Sequence, residues 1–313
     1  MEVGNDNILE LHYYFADSSH EIDALIRNKC ESELLAIAYE AASIFDIGLK
    51  LVTKPSEEGG FKEFWRALGE NSQQLQVLLV AIGVVTTVYF NYNPEDEQRK
   101  KTLEELQIQE LKLRLKNLDT ATETEKQDVA EAMANKLSKN LKVTKRKSNF
   151  YFHLSRYPKV SFISISAIAG TNRLRDEVKL SRSEFKKFIL SSDKLKIQED
   201  DSAEIEIISP VLKDGNYKWK GVYKGQPISF SMIDNKFRDA IFIDGLNFHA
   251  GTSIRCLLQI HREIDEVGEV KIKGYSVPTV IEILDGPTAR KTKQGAEYLH
   301  AKGMIDNQID LFS

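Results

Sequence analysis

The sequence from Leu75 to Tyr92 reads LQVLLVAIGVVTTVYFNY, and it lies inside a longer stretch, 71–94, that contains no charged side chain. Thirteen of these 18 residues are apolar. An α-helix of this length rises about 27 Å, which is close to the ~30 Å hydrocarbon core of a bilayer. We therefore predict a membrane-spanning helix, with the aromatic residues near Tyr92 at the membrane interface.

A buried element of a soluble protein is the alternative interpretation of this stretch. Its five valines and two threonines are also typical of a β-strand. The glutamine at Gln76 interrupts the apolar run, and the length is short for a span because a membrane helix needs about 20 apolar residues. The sequence leaves both interpretations open.

The predicted fold class is α+β with more than one domain, because a chain of 313 residues is long enough for about two. The predicted parts are a small α/β domain at 1–70, the apolar segment at 71–94, a charged helical connector at 95–141, a β-rich domain at 148–286 and a polar tail at 287–313. Hydrophobic periodicity divides the first part into a strand at 8–15, a helix ending near Ile44, a strand at 49–53 and an amphipathic helix at 61–68.

The connector is rich in Glu, Lys, Leu, Gln and Arg. Four of its apolar residues are spaced by three or four, as in a coiled-coil seam: Ile108, Leu111, Leu115 and Leu118. This spacing predicts self-association through helices 95–140. Because it covers only about one and a half heptads, packing onto the same chain is the alternative.

The β-rich domain is predicted from short alternating runs that are separated by glycine turns. The dipeptide Asp214-Gly215 between two such runs is a strong hairpin signal. Five or six strands of this kind indicate a small antiparallel barrel or sandwich. We expect a barrel of the oligonucleotide-binding or SH3-like type.

A strongly basic block lies between the connector and the β-rich domain. Residues 132–175 contain ten lysines and arginines and no acid, although the whole chain has a formal net charge of −4. Interleaved aromatics can stack on bases while the cations bind phosphates, and anionic lipid headgroups attract the same charges. Alternatively, the aromatics fill a core. The predicted anion-binding residues are Lys142, Lys145, Arg146, Lys147, Arg156 and Lys159.

A second group of candidate residues surrounds the first predicted helix. A histidine among carboxylates and an arginine can do acid–base chemistry or bind an anion; a solvated helix face is the alternative. The group consists of His12, Asp17, His20, Asp23 and Arg27. The six histidines and two cysteines lack the spacing of metal ligands, and no nucleotide-binding glycine motif is present, so we predict no metal site and no cofactor.

The C-terminal segment Gln308-Ile-Asp-Leu-Phe312 resembles the peptide with which bacterial DNA polymerases and repair proteins bind the sliding clamp. All five positions agree with that consensus, although they cover only five residues of the chain. The resemblance implies that Gln308, Leu311 and Phe312 contact a clamp. A terminal segment that packs onto its own domain is the alternative.

The overall plan resembles that of bacterial membrane-anchored sensors and effectors of stress or phage defence. We therefore predict a non-catalytic, membrane-anchored interaction protein of the bacterial inner membrane with cytoplasmic domains. One alternative is a cytoplasmic protein that associates with nucleic acid through 136–175 and with the clamp through 308–312. Another is an enzyme that uses the residues around His12.

Overall fold

The computed structural model describes residues 6–17, 21–54, 61–90, 101–211, 213, 215, 217–243, 248–249 and 251–310, without the side chains of 101–104, 242–243 and 305–310. The chain forms two compact units. One comprises 1–193 and 264–269, and the other comprises 194–263 and 270–313.

The first unit combines a sheet with a layer of helices. Its helices are α1 Ala24–Ile44, α2 Ser72–Thr87, α3 Lys101–Lys116, α4 Glu123–Leu137 and α5 Leu141–Ser155. Its strands are β1 Asn7–Phe15, β2 Lys50–Lys54, β3 Phe61–Leu68, β4 Val160–Ala169, β5 Asn172–Arg173 and β6 Lys179–Ser181. Short polar side chains cap helix starts by accepting hydrogen bonds from free backbone N–H groups, as Asp23 does for α1 and Asn140 for α5.

The sheet of the first unit has the order β2-β3-β1-β4-β5, with β6 paired to β4. The main pairs are antiparallel. The chain therefore follows a β-α-β-β-α-β path through β1, α1, β2, β3, α2 and β4, with the three helices α3, α4 and α5 inserted before the last strand. The apolar side chains of β1 and β4 form one core with those of the helices.

Helix α2 is the apolar stretch of the sequence, and residues 77–87 in it are all buried. It contacts α4, β4, α1 and β1, so it is covered by protein on all sides, which is the setting of a helix that is hydrophobic all round. None of the helices in the described part of the chain has both the length and the apolar character that a membrane span requires. The predicted membrane helix is therefore wrong.

The segment 61–68, which we predicted as an amphipathic helix, is strand β3, which lies between β2 and β1 in the sheet. Its neighbours β1 and β2 hydrogen-bond to it along both edges. An eight-residue segment is too short for its own periodicity to decide between helix and strand. Tertiary pairing decides it here.

The segments that follow α2 also differ from the predicted connector and β-rich domain. Residues 141–155 of the basic block form helix α5, which packs mainly against α1. Strand β4 pairs with β1 over most of its length and so belongs to the first unit. Its alternating sequence indicates a strand but carries no information about which distant strand pairs with it. Residues 91–100, which form the end of the predicted apolar segment and the start of the predicted connector, lie outside the described residues.

The second unit contains strands β7 to β12 and two helices. In chain order these are β7 Gln198–Ser209, β8 Trp219–Tyr223, β9 Gln226–Met232, α6 Asn235–Ile243, β10 Ser253–Ile264, β11 Val270–Asp285, β12 Thr288–Lys291 and α7 Lys293–Asp310. Five strands form a barrel in the order β10-β7-β8-β9-β11, and the pairing of β11 with β10 closes it. The predicted barrel is confirmed, but it is not purely antiparallel because β9 and β11 run parallel.

The barrel interior is filled by side chains from several strands and from α6. Trp219, Phe230 and Phe237 have at most 2% of their surface exposed, and Trp219 forms aromatic pairs with both phenylalanines. Asp234 accepts hydrogen bonds from the backbone of Phe237 and Val280, so it joins the start of α6 to β11. These contacts fill the barrel as a protein core.

Helix α7 replaces the predicted polar tail. Its start packs against β11, where a Cβ added at Gly295 would lie 2.3 Å from the Ile281 carbonyl oxygen. Only glycine permits this approach between the helix and the strand. The predicted fold class is corrected accordingly: both units mix helices and strands, and none of the described helices is long and apolar enough to span a membrane.

Candidate functional site

Strand β1 divides its side chains between two faces of the first sheet. Leu9, Leu11 and Tyr13 point into the core and have at most 1% of their surface exposed. Glu10 and His12 point to the opposite face because successive residues of a strand alternate. We call this opposite side of the sheet the polar face.

Neighbouring strands extend the polar face by their register with β1. Glu10 pairs with Phe64 of β3 and Ser166 of β4, and His12 pairs with Lys62 and Ser164. The same face continues through Lys179, which is opposite Ser164 on β6. The polar face includes the charged, hydroxyl-bearing and aromatic residues Asp6, Glu10, His12, Tyr14, Lys54, Lys62, Arg66, Phe162, Ser164, Ser166, Arg173, Glu177 and Lys179.

Glu10 lies at the centre of this face and its side chain is only 3% exposed. Arg173 Nη2 donates to Glu10 Oε1 over 2.8 Å, and Lys62 Nζ lies 3.4 Å from Glu10 Oε2. Arg173 also donates to Ser166 Oγ over 2.6 Å. Two cations therefore neutralise one buried carboxylate, as a buried charge requires.

Glu177 follows β5 and is held at the polar face by two hydroxyl groups. Tyr14 Oη and Ser164 Oγ each donate to Glu177 Oε1 over 2.6 Å. Burial alone would raise the pKa of Glu177, but these hydrogen bonds and the charge of Arg173 lower it below its ordinary value. The carboxylate is therefore ionised at neutral pH and fixed in orientation.

His12 and Tyr14 form a pair of rings on the polar face. Their ring centroids are 3.8 Å apart and their planes differ by 33°. Burial, followed by the charge of Lys62, lowers the pKa of His12, so the imidazole is neutral at pH 7. Lys179 Nζ lies 4.3 Å from the centroid of Tyr14, a cation–π contact at an exposed side chain.

Glu10, His12 and Glu177 also have the composition of a metal site, since each places one potential ligand atom within 4.8 Å of the others. Arg173 and Lys62 already neutralise Glu10. The positive charges of Arg173 and Lys62 would repel a divalent cation at this position. The electrostatics of the polar face therefore favour an anion over a metal ion.

The structure does not bring the residues predicted around the first helix into one site. His12 lies on the polar face, whereas Asp23 is the N-cap of α1 and accepts from Leu25 N and Ile26 N. Asp17 is exposed and lies 3.8 Å from Lys159. His20 lies outside the described residues.

Arg27, the last of these residues, lies on the core side of the sheet. Its Nε donates to Glu63 Oε1 over 3.0 Å, and the Glu63 side chain is 3% exposed. Burial raises the pKa of Glu63 to about 7 in spite of the Arg27 charge. Among the described atoms, Glu63 Oε2 and the Tyr13 hydroxyl have no hydrogen-bond partner. The sheet separates Arg27 and Glu63 from His12, so Arg27 and His12 do not form one site.

The predicted anion-binding residues of the basic block mostly make internal contacts along α5. Lys142 lies 3.9 Å from both Glu40 and Glu269, Lys145 binds Asp193 over 2.6 Å, and Arg146 binds Glu33 over 3.2 Å. The interleaved aromatics Phe150 and Tyr151 are fully buried. These charges stabilise the packing of α5 and leave little for an external ligand.

The other three residues of the predicted set are dispersed. Lys147 is buried, donates to the Val85 carbonyl at the end of α2, and has its pKa lowered to about 8 by burial. Arg156 lies over the ring of Phe152, and Lys159 over the ring of Phe15. No single surface collects the set within the described part of the chain.

The C-terminal docking prediction concerns residues that are only partly described. The helix α7 continues through Gln308 to Asp310. The side chain of Gln308 and the whole of Leu311 and Phe312 lie outside the described residues. Clamp binding stays a prediction.

Sequence reasoning missed Glu10, Lys62, Glu177 and Lys179 as members of a common site. The alternation of 8–15 could have indicated that Glu10, His12 and Tyr14 share a face. Lys62 was not predicted to lie beside β1, because the segment 61–68 was interpreted as a helix. Glu177 and Lys179 lie far from β1 in sequence, and no local pattern places them beside it.

Comparisons of the chain with protein-family models, curated proteins and solved structures found no match, so the candidate site rests on its own geometry.

Proposed function

We propose that this protein binds single-stranded nucleic acid on the polar face of its first unit. The observation that carries the proposal is the combination, on one antiparallel sheet face, of exposed cations with aromatic rings. Cations bind backbone phosphates and flat rings stack on unpaired bases. A sheet face of this kind is how four-stranded RNA-recognition modules hold single strands.

The charge balance of the polar face supports an anionic ligand. Among the polar-face residues named above, the acids are Asp6, Glu10 and Glu177, and the bases are Lys54, Lys62, Arg66, Arg173 and Lys179. The excess of two positive charges is local, because the chain as a whole has a net charge of −4. Lys54 and Arg66 share the single acid Asp6, at 3.0 and 3.8 Å. Cations that outnumber their acids retain attraction for phosphates.

Aromatic side chains supply the surface on which bases stack. His12 and Tyr14 are half-buried on β1, and Phe162 on β4 is 43% exposed. Tyr14 and Phe162 are directly opposite each other in the register of the two strands. Stacking on such rings contributes about 1–3 kcal/mol per base.

The barrel of the second unit adds support from its topology. In chain order its strands β7, β8, β9, β10 and β11 close in the order 1-2-3-5-4, with a helix between the third and fourth. This is the strand order of the oligonucleotide-binding barrels. Topology is an analogy and does not identify a ligand, so the proposal rests on the side chains of the polar face.

Binding should be measured by fluorescence anisotropy with labelled single-stranded RNA and DNA 12-mers over a series of salt concentrations. The test variant is Lys54→Gln with Lys179→Gln, which removes two cations from the polar face. We expect a loss of about tenfold or more in affinity, and a salt dependence whose slope falls by about two because two phosphate contacts are lost.

The matched control is Lys116→Gln with Lys139→Gln, which removes two exposed lysines from the helical layer of the same unit. We expect its affinity to stay within about twofold of the unmodified protein, since the net charge changes equally but far from the ligand. The proposal is refuted if the unmodified protein does not bind, or if the two variants lose equal affinity.

A further inference from the structure

The carboxylate of Glu177 presents one oxygen that the protein does not use. Both hydroxyl donors, Tyr14 and Ser164, bond to Oε1. Arg173 also approaches Oε1, at 3.6 Å. Among the described residues Oε2 has no hydrogen-bond partner, and the Glu177 side chain is 24% exposed. A rigid, ionised carboxylate thus keeps a free acceptor at the polar face.

This acceptor lies at the edge of the proposed stacking surface. The phenol oxygen of Tyr14 touches Glu177, while its ring lies against His12. A base stacked on these rings has its hydrogen-bonding edge beside Glu177, because a base ring is about as wide as the phenol. Lys179 Nζ lies 4.3 Å from the centroid of the Tyr14 ring, so a base that stacks on this side of the ring must replace it.

We propose that Glu177 makes the polar face selective for guanine, an inference that rests on the proposed function. An ionised carboxylate only accepts hydrogen bonds. Guanine is the base whose pairing edge carries two adjacent donors, the N1 hydrogen and the N2 amino group. The single free oxygen of Glu177 can accept from both of these donors, while the O6 acceptor lies at the other end of the same edge.

The other bases each turn an acceptor toward the carboxylate. Adenine and cytosine offer one amino donor next to a ring nitrogen acceptor, and uracil offers one donor between two carbonyl oxygens. An acceptor facing a carboxylate leaves both without a partner, which weakens binding. The expected order of preference is guanine first and uracil last.

A carboxylate on a phosphate-binding surface otherwise opposes binding, because it repels the ligand. The two hydroxyls that hold Glu177 and the lowered pKa of its carboxyl keep it charged in this position. Selectivity for one base is a function that compensates for that repulsion.

The probes are four labelled RNA nonamers with uridine at eight positions and guanosine, inosine, adenosine or uridine at the centre. Inosine lacks only the N2 amino group of guanosine. In the unmodified protein we expect the guanosine probe to bind about tenfold more tightly than the uridine probe, with inosine between them. In Glu177→Gln the guanosine preference should fall below about twofold, while affinity for the uridine probe is kept or increased.

Glu131→Gln is the matched control, because Glu131 is an exposed glutamate on α4 that pairs with Arg175 away from the polar face. It should keep the full preference. If the unmodified protein binds all four probes equally, or if Glu177→Gln keeps the preference, the guanine inference is wrong and nucleic-acid binding stands. If no probe binds, the proposed function itself is refuted.

Discussion

Replacing Glu63 by glutamine is expected to remove the part of the pH dependence of the stability of the first unit that the Glu63 carboxyl contributes. Glu63 lies on the core side of β3 beside Arg27, with one oxygen unpaired among the described atoms. Its pKa is about 7 in the folded protein against 4.5 for the free side chain. The folded state therefore binds a proton that the unfolded chain releases.

The direction and the size of the effect follow from these two pKa values. Below pH 4.5 both states are protonated and the stabilising effect of the protonated carboxyl is fully present. As the pH rises from 4.5 to about 7, this stabilisation decreases by about 1.4 kcal/mol per pH unit, in total by roughly 3 kcal/mol. Glutamine cannot ionise, so the variant shows no such loss.

The two cysteines allow each unit to be measured in the intact chain. Cys30 lies in the first unit and Cys256 in the second, and both are fully buried. A thiol reagent labels each only after its surroundings open, so the labelling rate reports the free energy of opening. Comparing both proteins at the same pH cancels the reactivity of the free thiol.

Between pH 4.5 and 8 the ratio of Cys30 labelling rates, unmodified protein over Glu63→Gln, should rise on the order of a hundredfold. The ratio for Cys256 should stay constant. A Cys30 ratio that does not change with pH would show that Glu63 ionises normally and that the burial argument is wrong. An equal change at Cys256 would show that the effect is not confined to the first unit.

Two further predictions concern the second unit and the C-terminus. Gly295→Ala should destabilise the second unit by about 1–3 kcal/mol, because the added Cβ collides with the backbone of Ile281. The rate of Cys256 labelling measures this loss of stability. The control is Gly303→Ala, at an open position of α7, which should be neutral or slightly stabilising. If 308–312 is a docking peptide, Leu311→Ala with Phe312→Ala should abolish retention of a bacterial sliding clamp in a pull-down without changing the melting temperature. A loss of several degrees would place these side chains in a core and end the docking hypothesis.

The candidate site was accessible from the sequence only in part. His12 was identified because a histidine near carboxylates stands out locally. Its partners were not, because Lys62 lies on a strand that resembles a helix in isolation and Glu177 is distant in sequence. The basic block 132–175 is conspicuous in the sequence by its charge, yet three of its bases pair with Glu33, Glu40 and Asp193 once α5 packs.

The sequence by itself determined the elements whose signals are local. The alternation of 8–15, the helical periodicity that ends near Ile44 and the glycine turns of the barrel each reflect backbone geometry within a few residues. Only the tertiary structure decided the surroundings of those elements. The stretch at 75–92 is apolar enough for lipid, but β4 and α4 surround α2, and hydrophobicity alone does not distinguish lipid from protein as the apolar environment. Likewise, Glu10, Arg173 and Glu177 become one site because β1 pairs with β4, and strand pairing depends on distant segments that a local pattern does not specify.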